Sequence, residues 1–436
     1  MSRQLQTVLR AGAAAFLVAL LCAGMPSARS EAPGRSKLVA PGADGRLVYT
    51  PYTDRGDRIP DFSTCGYRGG GVPFPTVPVK ATLSPQPGSA DDLPRIQAAV
   101  DQVSALAPDR AGVRGAVLLR KGRYRLGGTL RIAAGGVVLR GEGQEEDGTV
   151  LVATLRKQHT LVEVNGKGSP VEVRGSRQPI TDDYVPVGAR TVTVADASGF
   201  RVGDAVILHR PSTAEWIRAI GMDRIPMDHS KVVQWKPGSK DLRFERVVTG
   251  IEGNRVTLDT PVVNALQKEY GGGFLHKYQF PGRIEEVGIE NLRGESEYDP
   301  SIKDRILFTQ PADEAHAWDF VTFDRARNGW MRDVTAVHFG YSCVGLSRYA
   351  SHVTVRDCQC LDPVSLVAGG RRYSFWISGQ CNLVERCRAR RGRHDFVMHS
   401  VVPGPNVFVD CAAENAFADT GPHHRWAAGT LYDNVV

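Results

Sequence analysis

Asp395-Phe396-Val397-Met398-His399 and Asp419-Thr420-Gly421-Pro422-His423 each place an Asp four residues ahead of a His, and the two motifs lie 24 residues apart. His394, His424, Arg425 and Trp426 flank them, and six of the eleven His fall between residues 338 and 424. If 24 residues make one turn of a coil, the motifs sit one above the other, at the roughly 4.8 Å that separates adjacent strands. Asp395 then neighbours Asp419, and His399 neighbours His423. Like charges held that close are costly unless a cation, a shared proton or a ligand relieves them, and proteins tolerate that cost mainly at functional sites. The plainer alternative is a pair of Asp–His hydrogen bonds that pin turns, a common use of Asp.

Three chemistries can use such a grouping. In a lyase acting on uronate sugars a base removes the proton beside the carboxylate, once positive charge has neutralised that carboxylate. His399 or His423 is the candidate base, tuned towards neutral pH by its Asp. Arg425 is placed to clamp the carboxylate in bidentate fashion. Asp395 and Asp419 can instead hold Ca²⁺, which takes several oxygen ligands. Trp426 stacks on a sugar ring or packs, and His394 and His424 complete a substrate-binding rim. A glycoside hydrolase would use Asp395 and Asp419 directly, with carboxyls about 5 Å apart for retention or about 6.5–9.5 Å for inversion. A non-catalytic glycan-binding protein is the third reading, and it gives no reason to gather Asp, His and Arg in one phase.

The elements that must position these residues are legible in a second repeat of the same phase. Arg332-Asp333-Val334-Thr335, Arg356-Asp357-Cys358-Gln359, Glu385-Arg386-Cys387-Arg388, Val409-Asp410-Cys411-Ala412 and Tyr432-Asp433-Asn434-Val435 set a small apolar residue at intervals of 24, 29, 24 and 24. A fixed period in this range marks stacked repeats. The short β-like runs within each unit predict a parallel β-helix with interior columns of like residues. His338, Asp362, Arg391 and Asn415 each follow a column anchor by five residues. They line one edge of a binding groove or simply occupy the turn after each strand; His338 and Arg391 are kept as outer-site candidates. Cys358, Cys387 and Cys411 share the interior column, where free Cys behaves as a small buried hydrophobe. The Cys spacings match no zinc pattern.

Asp91-Asp92-Leu93-Pro94 opens a helix, and Leu93, Ile96, Val100, Val103 and Leu106 give it one apolar stripe, as a cap over the first coil requires. With Gly122-Arg123-Tyr124 and Leu139-Arg140-Gly141, this run resembles the start of pectate-lyase-superfamily β-helix proteins. The resemblance implies carbohydrate as the ligand and, with the rule for parallel crossovers, a right-handed coil. It brings no catalytic residue with it, because neither the paired-Asp signature of polygalacturonases nor the Arg-x-Pro-x-x-Arg arrangement of some pectate lyases occurs. The fold expected is therefore all-β: a right-handed parallel β-helix with an N-terminal capping helix and a small inserted β subdomain. The expected divisions are a signal peptide over 1–30, an extended lead-in over 31–90, a first β-helical part over 91–174, the β insertion over 175–282 and the C-terminal coils over 283–436. The last residues read as an unfinished coil, so a truncated chain is expected. Trp216, Trp235, Tyr270 and Tyr278 pave a sugar-binding wall or form the insertion's core, the commoner fate of aromatics.

Arg3 and Arg10, the apolar run Ala11–Gly24 and Ala28-Arg29-Ser30 predict a cleaved secretory signal, too short to span a bilayer. Secretion or a periplasmic location follows. The chain beyond residue 30 carries 51 basic and 47 acidic side chains, too mild a balance for nucleic acid. Five Arg crowd into residues 386–393, either as a solvated turn or as a site for an anionic polymer. The sequence thus predicts a secreted enzyme acting on an acidic polysaccharide, most simply a uronate lyase, with neither nucleic acid nor membrane as partner.

Overall fold

Short apolar strands separated by polar corners wind here into a right-handed parallel β-helix, described over residues 36–226, 232–305 and 309–436 of a computed structural model. The expected signal segment lies outside these residues. One parallel sheet climbs from Val79–Leu83 through Gly115–Leu119, Val137–Arg140, Gly288–Ser296, Trp330–Val337, Thr354–Arg356, Asn382–Glu385 and Asn406–Val409 to Thr430–Asp433. A second climbs from Leu130–Ile132 through Thr160–Asn165, Asp319–Asp324, Ser342–Leu346 and Phe375–Ile377 to Phe396–Met398.

The column of the first sheet is set by backbone register. Arg332 pairs with Arg356, Arg356 with Glu385, Glu385 with Val409 and Val409 with Asp433. Two residues further on, Val334, Cys358, Cys387 and Cys411 point inward and are buried. All seven described cysteines are free and buried. The residue between anchor and column turns the corner: Asn291, Asp333, Asp357, Arg386, Asp410 and Asn434 all have φ between 49° and 54°. That left-handed conformation suits Asn and Asp, whose short polar side chains can bond locally. A second corner column, also at positive φ, comprises His338, Asp362, Arg391 and Asn415.

The helix Leu93–Ser104 buries Ile96, Ala99, Val100 and Val103 over the first coil. Leu106 lies beyond its end and is 37% exposed. Asp91, rather than Asp92, accepts the Leu93 N–H, at 2.9 Å. Asp92 is instead drawn into the junction with the coil, where it accepts from Arg125 N at 2.8 Å.

Between Thr160–Asn165 and Gly288–Ser296 the chain leaves the coil and builds an antiparallel sheet. Its order is Val171–Glu172, Phe274–Gln279, Ala205–Arg210, Leu242–Glu252, Arg255–Leu258, Thr191–Thr193. A separate apolar core centred on Val206, Leu208, Leu242, Phe244 and Leu275 fills it, with Val401, Trp426 and Ala428 of the last coils packed against it. The outer faces of the two long sheets meet different fates. Tyr67 and Phe74 of the lead-in pack on Trp330 at 5.3 and 5.8 Å and close part of the first. The upper coils of the second stay open beside the insertion and line a cleft. No helix among the described residues is long and apolar enough to cross a membrane.

Candidate functional site

The open face is built by side chains that alternate outward from the second sheet. In Phe375–Ile377 the two end residues are buried and Trp376 points out. It crosses the strand below at Gly345, where a Cβ would stand 2.1 Å from the indole. Trp376 stacks on His399 at 4.6 Å, and its Nε1–H donates to Asp319 Oδ1 at 3.3 Å. Ser342 Oγ donates to the same oxygen at 2.5 Å. Burial pushes the Asp319 carboxyl up to about 6, against the lowering effect of those two hydrogen bonds. Tyr341 stacks on Trp318 and contacts His399 through Oη···Nε2 at 3.2 Å.

Tyr373 is the hub. Its ring meets His394, His399, His423 and His424 edge-on, with centroids at 5.3, 5.9, 6.0 and 5.7 Å. Tyr341, Tyr373, His399, His424 and Arg348 line a cleft of about 420 Å³. Arg348 also lines the adjoining cavity beneath the insertion, together with Arg243. Both guanidiniums are exposed and have no hydrogen-bond or ion-pair partner among the described residues. His399 is driven down to about 4, first by burial and then by the His424 imidazole. His424 and His394 are lowered too, mainly by burial. Burial, with the nearby Asp319 and Tyr373, raises the Tyr341 phenol.

The motifs of equal spacing do not stack as their period predicts. Val397 bridges Gly421, so the backbone phase is kept, but the side chains part. Asp395 is fully buried. Its Oδ1 accepts from Ser374 Oγ at 2.5 Å, and its Oδ2 has no partner. It is packed so closely that a Cβ on Gly392 would lie 1.8 Å from Oδ1. Burial pushes its carboxyl up to about 6. Asp419 stands outside with its side chain 67% exposed. One carboxylate is inside and the other outside, so the two do not stand side by side on a common outward surface as a Ca²⁺ bridge or a two-carboxylate hydrolytic pair would need. Nor do His399 and His423 pair: His423 stacks on His394 at 3.7 Å, while His399 meets His424 edge-on at 5.1 Å.

Other expected site residues lie elsewhere. Trp426 packs against Trp216 at 4.7 Å and donates Nε1–H to Lys240 O at 3.0 Å, so it joins coil to insertion. Arg425 is exposed beside Lys240 and Trp235, in a different hollow. His338 sits edge-on to Tyr298 at 5.1 Å, and Arg391 bonds Gln310. Neither lines the cleft; both hold left-handed corners. The arginine run is largely matched by acids of adjacent coils, Arg386 with Asp357, Arg388 with Glu414 and Arg390 with Asp362. Trp216 and Tyr278 are buried, as core residues are.

No protein-family model and no curated protein matches the chain. Solved structures similar to it include the tailspike protein gp49 of Pseudomonas phage LKA1, with 14% identity over 79% of this chain and 52% of that one, at a TM-score of 0.44. The tailspike of E. coli bacteriophage HK620, solved with a pentasaccharide, shares 12% identity over 88% of this chain and 46% of its own, at 0.32. A putative glycosyl hydrolase from Parabacteroides merdae shares 9% over 82% and 98%, at 0.28. The chain spans about half the length of these two tailspikes. The likeness is one of architecture.

Proposed function

We propose that the chain is a secreted enzyme that cleaves a uronate-containing polysaccharide by β-elimination in the cleft beside Tyr373. The observation that carries this reading is the Tyr341–His399 contact of 3.2 Å in a cleft also lined by the unpaired Arg348. His399 is neutral above about pH 4, so its imidazole can accept the proton beside the uronate carboxylate. The electron pair left behind forms the new C=C bond, the glycosidic C–O bond breaks, and the Tyr341 hydroxyl gives its proton to the departing oxygen. Arg348 pairs with the carboxylate and makes that first proton more acidic. Arg243, in the adjoining cavity, meets a carboxylate further along the polymer. The basic and apolar runs within residues 1–30, read as a cleaved signal, support export.

Asp319 favours a second reading. A half-buried carboxyl held up to about 6 has the character of a general acid. It stands behind Trp376, however, and the cleft lining holds no carboxylate among the described residues. A hydrolase would need a second carboxylate there.

Incubating the protein with polygalacturonate, alginate and hyaluronan separates the two. Ultraviolet absorbance from unsaturated uronate ends is the expected result on at least one polymer. New reducing ends without that absorbance would overturn elimination in favour of hydrolysis through Asp319.

A further inference from the structure

His394 has an acceptor with nothing to accept from. Its side chain is 1% exposed, and its Nδ1 lies 2.8 Å from the carbonyl oxygen of Asp419. A carbonyl only accepts, so Nδ1 carries the proton and Nε2 of the neutral ring presents a bare lone pair. That Nε2 is buried and has no hydrogen-bond partner. An imidazole whose other N–H is anchored on a backbone carbonyl is the arrangement that orients metal-ligating histidines. The His423 ring lies against the His394 ring, and Asp419 Oδ1 stands 3.4 Å from His394 Nδ1, the protonated nitrogen. One nitrogen from each ring and one Asp419 oxygen lie within 4.8 Å of one another.

We propose that His394, His423 and Asp419 form a binding site for a divalent transition metal of the zinc type. Two imidazole nitrogens and one carboxylate oxygen suit zinc or cobalt, whereas calcium takes an all-oxygen shell. Bonds of about 2.0–2.2 Å require the ligand atoms to draw closer. His423 and Asp419 are exposed, so His423 can turn off the stack and Asp419 can swing in while His394 stays fixed. The ion ties the loop that carries Asp419 and His423 to the preceding coil, a joint otherwise made by few backbone contacts, the Val397–Gly421 bridge among them. Three protein ligands leave a coordination position for water or an anionic oxygen.

The test uses the untagged full chain after chelator treatment and does not depend on enzymatic activity. Titration with Co²⁺ is expected to give visible d–d absorption that saturates at one ion per chain, and Zn²⁺ is expected to raise Tm. His423→Ala and Asp419→Asn should each weaken Co²⁺ binding at least tenfold while leaving the metal-free Tm unchanged, and His338→Asn, which keeps a residue tolerant of its left-handed corner, should change neither. Absence of Co²⁺ uptake, or uptake unaltered in both site variants, overturns the proposal. So does a thermal response to Ca²⁺ that Asp419→Asn abolishes and His423→Ala does not.

Discussion

The inner pair Cys387–Cys411 and the outer pair His399–His423 share one interval, 24 residues, and end in opposite arrangements. The cysteines stack. Each follows a strand of the first sheet whose backbone is paired to the coils on either side, and the interior admits one side-chain direction. The histidines do not. They lie where the second sheet runs out into loops, joined by isolated bridges, Val397 to Gly421 and Val402 to Ala427, rather than by a continuous ladder. There each ring follows the nearest aromatic surface: His399 takes Trp376 and His423 takes His394. A repeat fixes side-chain position only where the ladder fixes backbone direction on both sides. Outside the ladder, local packing decides.

Substitutions can break this contrast. The largest stability effect is expected at Asp395, drawn inside by the same winding that leaves Asp419 out. Its folded pKa of about 6 lies above the unfolded value of 3.8. The contribution of Asp395 is therefore fully present below pH 3.8 and is lost as pH rises through about 6. Asp395→Asn removes that loss, so by pH 7 the variant should gain at most about 3 kcal/mol on the wild type. Denaturant midpoints measured at pH 4 and pH 7 check this, and a gap independent of pH would contradict it. Next comes Cys387→Leu, which forces extra volume between Cys358 and Cys411. It should cost about 1–3 kcal/mol by overpacking, read as a lowered midpoint at unchanged m-value. An unchanged midpoint would mean that the column is loosely packed. The smallest effects belong to the corners. His338→Asn keeps a residue that tolerates positive φ and should shift stability by less than about 0.5 kcal/mol and turnover by less than twofold. A large loss of turnover would return His338 to the site.

The coil itself was legible because its signals reinforce one another. The interval, the small apolar residue at its centre and the polar corner beside it all describe one winding. The capping helix was readable from Ile96, Val100 and Val103, while Leu106 fell past its end. The inserted sheet is signalled by Gly253-Asn254, a turn pair that joins Leu242–Glu252 to Arg255–Leu258. The cleft was legible in part. The histidines were legible, but their partners were not, because Tyr373 and Trp376 sit on the 29-residue coil between Arg356 and Glu385, out of phase with the 24-residue repeat, and Tyr341 belongs to no repeated motif. One signal was available: in Phe375-Trp376-Ile377, inward Phe and Ile force Trp outward. The direction of Asp395 was not readable, since it precedes its strand and depends on Gly392 leaving room. Arg425 and Trp426 misled for a similar reason: the insertion, far away in sequence, claims them.

Turnover on the polymer that yields unsaturated ends tests the central claim most directly, with His399→Ala and Asp395→Asn compared side by side. The account predicts at least a hundredfold loss of kcat for His399→Ala, the scale of a lost general base, and a change of no more than a few-fold for Asp395→Asn. The reverse outcome, Asp395→Asn inactive and His399→Ala active, would contradict it.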